Sequence, residues 1–66
     1  MKTLTFQEAF AAMRLFLEDY YEQTHSDDVG ALLGDLQLLE DGMTADPAVW
    51  DDWLACVDKV EIKAAA

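Results

Sequence analysis

Apolar residues recur at steps of three and four along most of the chain, which is the period of a helix that buries one face. The first such run extends from Phe6 to Tyr21. It starts beside Thr5 and Glu8, which have the spacing of a capping box, in which each side chain accepts a hydrogen bond from the other residue's backbone N–H. The pattern predicts a first helix over about residues 6–23.

A second apolar run follows Ser26, which is a favoured N-cap residue with two acids directly after it. We predict a second helix over about residues 27–39, with Gly42 as the left-handed residue that ends it. Gly30 and Gly34 lie one turn apart inside this helix, where each glycine costs about 1 kcal/mol relative to alanine. We therefore expect another backbone to approach closely there.

A third helix is predicted over about residues 47–62, because Asp46 is a good cap and Pro47 suits the first helical position. No stretch has the alternating pattern of a strand. Three helices with short connections favour an all-α fold, a compact three-helix bundle in a single domain over residues 1–66. A chain of 66 residues buries only a small core, which a partner or a second copy can complete.

The negative charge of the chain is the first feature that bears on its function. The net charge is −10, and the stretch between Arg14 and Lys59 contains twelve acids and no Lys or Arg. Such a surface repels nucleic-acid phosphates and anionic membranes and attracts basic proteins. We expect a basic protein partner, no direct nucleic-acid contact and no membrane contact, although solubility alone explains the acids about equally well.

The compartment is predicted from two further features. Residues 1–4 do not begin an apolar targeting segment, and no apolar run approaches the roughly 20 residues that span a membrane. With Cys56 as the single cysteine, no disulfide can form within the chain. These features favour a cytoplasmic protein.

Catalytic chemistry has little support in the sequence. His25 is the only histidine, and no nucleophile–base pair or cofactor loop can be recognised, so we expect no catalytic residues and no cofactor. Cys56 lies beside the apolar stripe of the third helix, where a small buried hydrophobic role is favoured over that of a nucleophile.

Two pairs of carboxylates could in principle bind a metal ion, namely Asp27 with Asp28 and Asp51 with Asp52. Each pair is also explained by placement in the first turn of a helix, where the dipole favours acids. We favour the second explanation and predict no metal site.

The aromatic side chains leave an open question. Trp53 and Tyr20 are expected in the core, whereas the sequence leaves open whether Trp50 and Tyr21 are exposed or buried. An exposed aromatic within an acidic surface is typical of a protein-binding hot spot.

Three segments also suggest a family. They resemble small bacterial immunity proteins that are paired with contact-dependent growth inhibition toxins, and the resemblance spans about residues 9–57. The three runs are A-F-A-A-M-R-L-F-L-E-D-Y-Y, S-D-D-V-G-A-L-L-G-D-L and D-G-M-T-A-D-P-A-V-W-D-D-W-L. The resemblance implies a cytoplasmic protein that binds a cognate toxin domain, often a nuclease, and blocks it without chemistry of its own. The expected partner-binding residues are Asp27, Asp28, Asp35, Glu40, Asp41, Asp46, Asp51 and Asp52, with Trp50 as a candidate anchor.

Two other functions fit the same sequence. A homodimeric structural or adaptor module would cover its apolar stripe with a second copy. A nucleic-acid mimic that inhibits a host defence enzyme would use the same acidic surface.

Overall fold

The computed structural model describes the backbone of residues 3–65 and the side chains of residues 3–61. It contains three helices, α1 (Phe6–Thr24), α2 (Asp27–Asp35) and α3 (Pro47–Ala65). The prediction of an all-α protein with three helices is confirmed, and no strand forms within residues 3–65. No helix in this range is both long enough and apolar enough to cross a membrane. Met1 and Lys2, on which part of the targeting prediction rests, lie outside the described residues.

The start of α1 follows from its local sequence. The Thr5 hydroxyl accepts a hydrogen bond from the Glu8 N–H at 3.0 Å, and the Thr5 N–H donates to the Glu8 carboxylate at 2.9 Å, so the capping box is confirmed. The helix ends at Thr24, one residue beyond the prediction. His25 follows in the left-handed conformation, with φ 52°, and its N–H donates to the Tyr21 carbonyl at 2.7 Å.

The helix α2 is shorter than predicted. Its Ser26 cap is confirmed, because the Ser26 hydroxyl accepts from the Val29 N–H. The predicted end at Leu39 is wrong: the helix stops at Asp35, and the Leu36 N–H divides its bond between the carbonyls of Leu32 and Leu33.

Residues 37–45, which we call the return loop, explain this early stop. The Leu39 N–H donates to the Met43 carbonyl at 2.7 Å, and the Asp41 carboxylate accepts from the Met43 N–H at 3.0 Å. Gly42 is left-handed, with φ 84°, but it lies at the tip of the loop rather than at the helix end. Thr44, a residue of this loop, is buried. The hydrogen bonds of the loop and the burial of Thr44 take the place of the backbone hydrogen bonds that further helical turns would have made.

The start of α3 is as predicted. The Asp46 carboxylate accepts from the Ala48 N–H at 2.9 Å, and Pro47 occupies the first helical position. The helix runs three residues beyond the predicted end. Its first turn contains no acid, so Asp51 and Asp52 lie in the second turn, and the prediction that they occupy the first turn is wrong.

The packing of α3 on α1 centres on Phe10, whose side chain is only 2% exposed. The rings of Trp50 and Trp53 meet it edge-on, with centroids 6.1 and 5.3 Å away. The Trp53 indole N–H also donates to the Phe6 carbonyl at 3.2 Å. Trp53 therefore packs on the buried Phe10 but is itself only half-buried, and Tyr20 is exposed, so neither side chain has the fully buried core position that was predicted.

The packing of α2 on α1 includes polar contacts, in contrast to the aromatic packing of α3 on α1. Arg14 on α1 pairs with Glu18 at 3.3 Å and donates to the Leu33 carbonyl in the last turn of α2 at 3.4 Å. A Cβ at Gly30 would lie 2.9 Å from the Tyr21 ring, whereas a Cβ at Gly34 would meet nothing within 4 Å. The expected close backbone approach is therefore wrong at both positions, since a side chain approaches Gly30 and nothing approaches Gly34.

Candidate binding surface

The carboxylates predicted to bind a partner are all exposed. They are carried by four parts of the fold: the start of α2, the end of α2, the return loop and the beginning of α3. In chain order they are Asp27, Asp28, Asp35, Glu40, Asp41, Asp46, Asp51 and Asp52. The acidic surface is thus presented mostly by helix ends and by the loop between them.

Two of these acids also have a structural role. Asp41 fixes the tip of the return loop, and Asp46 caps α3, in each case through one carboxylate oxygen. Within the described residues, the second carboxylate oxygen of Asp41 and that of Asp46 have no hydrogen-bond partner. Both side chains can therefore serve the fold and still contribute charge to a partner surface.

The described acids do not converge on a point. Among residues 3–61, no group of three or more His, Cys, Asp or Glu side chains is placed to hold a metal ion. The exposed carboxylates are instead spread over four parts of the fold, from the start of α2 to the beginning of α3. Such an arrangement attracts an extended basic surface rather than a single cation.

Trp50, the candidate anchor, is only partly accessible. Its side chain is half-buried, because its ring packs against Phe10. Only part of the indole remains available to a partner.

An apolar groove beside α3 is a feature that sequence reasoning missed. Its first lobe, of about 220 Å³, is lined by Phe10, Met13, Leu36, Val49 and Asp52. Its second lobe, of about 290 Å³, is lined by Ala9, Val57, Val60 and Glu61. Trp53 and Cys56 line both lobes, so the two lobes adjoin along α3. Cys56 is exposed there, so the prediction that it is buried is wrong.

The groove could have been suspected from the third helix alone. Val49, Trp53, Cys56 and Val60 follow one another at steps of four, three and four residues, which places them on one face. The sequence pattern could not show that α1 covers only part of this face.

Comparisons with protein-family models, with curated proteins and with solved structures give no match to this chain. The resemblance to immunity proteins therefore stays a prediction.

Proposed function

We propose that this protein is a non-catalytic acidic binding protein of the immunity class, which neutralises a cognate bacterial toxin domain by covering a basic surface. One observation carries the proposal: the stretch between Arg14 and Lys59 holds twelve acids and no base, and the eight acids from Asp27 to Asp52 are all exposed. Arg14, at the edge of this stretch, is already paired with Glu18 and the Leu33 carbonyl. Among residues 3–61, Lys59 is the only other Lys or Arg, so little positive charge offsets the acids.

Electrostatics connects this surface to inhibition. A toxin that acts on nucleic acid needs a positively charged cleft, because its substrate is a polyanion. Opposite potentials on two proteins speed their encounter and exclude partners of the wrong charge. An inhibitor that presents carboxylates can therefore occupy such a cleft quickly without any reaction.

The test is association with the toxin domain encoded beside the gene, measured by stopped-flow fluorescence at several salt concentrations. We compare two triple variants with the same change in net charge. The first, Asp35→Asn with Glu40→Gln and Asp51→Asn, removes acids of the proposed contact surface that cap no helix. The control, Asp19→Asn with Glu22→Gln and Asp58→Asn, removes exposed acids outside it.

We expect the first triple variant to slow association about tenfold at low salt and to flatten the salt dependence, because the lost charges lie at the contact. The control should change the rate much less. If the toxin domain does not bind the unaltered protein, the proposed function is wrong. If both variants act equally, the contact surface is wrong.

A homodimeric module is the second candidate, and exposed apolar side chains on α1 favour it. Phe16 is 70% exposed, and Leu15 and Tyr20 are also exposed. The charge of −10 on each copy opposes self-association. Light scattering at micromolar concentration separates the two functions, since a stable dimer would favour the module and a monomer the immunity protein.

A further inference from the structure

We propose that the apolar groove beside α3 binds a helix of the partner protein that carries an apolar stripe flanked by lysine or arginine. This inference rests on the proposed function and adds to it the place where the partner docks and the chemistry of the docking segment.

The dimensions of the groove suit a short helix. Along α3 it extends from Val49 to Val60, a rise of about 17 Å at 1.5 Å per residue. One wall is this face of α3, and the other is formed by Ala9, Phe10 and Met13 of α1. A partner helix of about three turns can lie along the two walls and insert one side chain per turn.

Apolar side chains of the groove are left partly or largely uncovered. Val60 is 66% exposed, and Trp53 and Val57 are only half-buried.

Charge decides which occupant fits. Asp52 lines the first lobe and Glu61 lines the second, and none of the lining residues within residues 3–61 is a base. Lys59 is exposed and lines neither lobe. A second copy of the chain would bring another net charge of −10 to these carboxylates. A helix with basic flanks would instead pair with both ends of the groove while its apolar stripe covers Trp53.

Cys56 provides the readout, because it is the only thiol of the chain and lines both lobes. The probe is a synthetic amphipathic helical peptide of leucine and lysine, compared with a leucine and glutamate peptide of the same pattern. We measure the reaction rate of Cys56 with a disulfide reagent, together with tryptophan emission. The lysine peptide should slow the reaction in a saturable way and shift the emission, whereas the glutamate peptide should do neither.

Two matched variants locate the binding site. Val60→Asn removes an exposed apolar side chain of the groove, and Leu15→Asn removes one of similar exposure, 61%, that lines neither lobe. Because both side chains are exposed, neither variant should unfold the protein. We expect Val60→Asn to weaken binding of the lysine peptide about tenfold, because it removes one apolar side chain that the peptide contacts. Leu15→Asn should bind like the unaltered protein.

Three results would overturn the inference. The lysine peptide could leave Cys56 unprotected, or Leu15→Asn could weaken its binding as much as Val60→Asn does. Alternatively, Cys56 could become protected as the concentration of the protein alone rises, which would identify a second copy as the occupant.

The toxin domain then separates this inference from the proposed function. If that domain binds Val60→Asn as tightly as the unaltered protein, the groove is not the docking site and the proposed function stands. If the peptide occupies the groove but the toxin domain does not bind, the proposed function fails and the groove remains a site for basic helices.

Discussion

Gly30 and Gly34 lie one turn apart on α2 and look equivalent in the sequence, yet their surroundings differ. A Cβ at Gly30 would lie 2.9 Å from the Tyr21 ring, closer than side-chain atoms normally approach. A Cβ at Gly34 would meet nothing within 4 Å. The intrinsic cost of glycine in a helix applies to both positions, so only packing separates them.

We predict that Gly34→Ala stabilises the protein by about 0.5–1 kcal/mol, because alanine loses less backbone entropy on folding and meets no neighbour. Gly30→Ala should show no such gain, because the new methyl group pushes the Tyr21 ring away from α2. Urea unfolding followed by circular dichroism measures both free energies of unfolding.

The control is the same glycine substitution in a Tyr21→Ala background. With the ring removed, Gly30→Ala should stabilise the protein about as much as Gly34→Ala does. Equal gains from the two glycine substitutions in the presence of Tyr21 would contradict the packing argument.

The helix starts show what sequence alone can establish. The Thr5, Ser26 and Asp46 caps each depend on a hydrogen bond to a backbone N–H two or three residues away. Such bonds need no information from elsewhere in the chain, so the three starts were predicted correctly.

The end of α2 depends on more distant groups. Apolar spacing continues to Leu39, but the backbone bonds of the return loop and the buried Thr44 favour an earlier stop. Arg14 then reaches from α1 to the Leu33 carbonyl, nineteen residues away in sequence. No periodic pattern specifies such contacts, and for the same reason the exposure of Tyr20 was predicted wrongly.

At the start of α3, Asp46 combines a cap with a charge, and two substitutions separate these roles. Asp46→Ala removes both and should destabilise the protein by about 1 kcal/mol. Asp46→Asn keeps a capping oxygen and should cost little. Thermal unfolding measures the difference, and equal losses would show that the charge rather than the capping bond stabilises α3.

Association of the toxin domain gives the second half of this test. If the Asp46 charge also contributes to the partner surface, both variants should slow association by similar factors at low salt. Slower association for Asp46→Ala alone would limit Asp46 to its structural role.

The shape of the whole molecule was the least predictable property. Helical periodicity identifies which face of each helix is apolar, but it does not say how completely a neighbour covers that face. Phe10 is the only fully buried apolar side chain among residues 3–61. The groove and the exposed side chains of α1 follow from this incomplete coverage, whereas the three-helix fold class and the net charge were predictable from the sequence.

That charge should also be measurable in the free protein as a dependence of stability on salt. At 0.01 M salt the screening length is about 30 Å, close to the 38 Å length of the molecule, so the acids repel one another across the fold. At 0.5 M salt the screening length falls to about 4 Å. We predict that the melting temperature rises by about 5 °C between these salt concentrations, the effect of roughly 1 kcal/mol in a domain of this size.

The contact-surface triple variant provides the control. Asp35→Asn, Glu40→Gln and Asp51→Asn together reduce the net charge from −10 to −7, so this variant should melt higher at low salt and respond less to added salt. A melting temperature that does not change with salt would mean that the acids carry no repulsive cost, and solubility alone would then account for them. A melting temperature that rises with salt would mean that the acids of the free protein repel one another, and binding of a basic partner would relieve this repulsion.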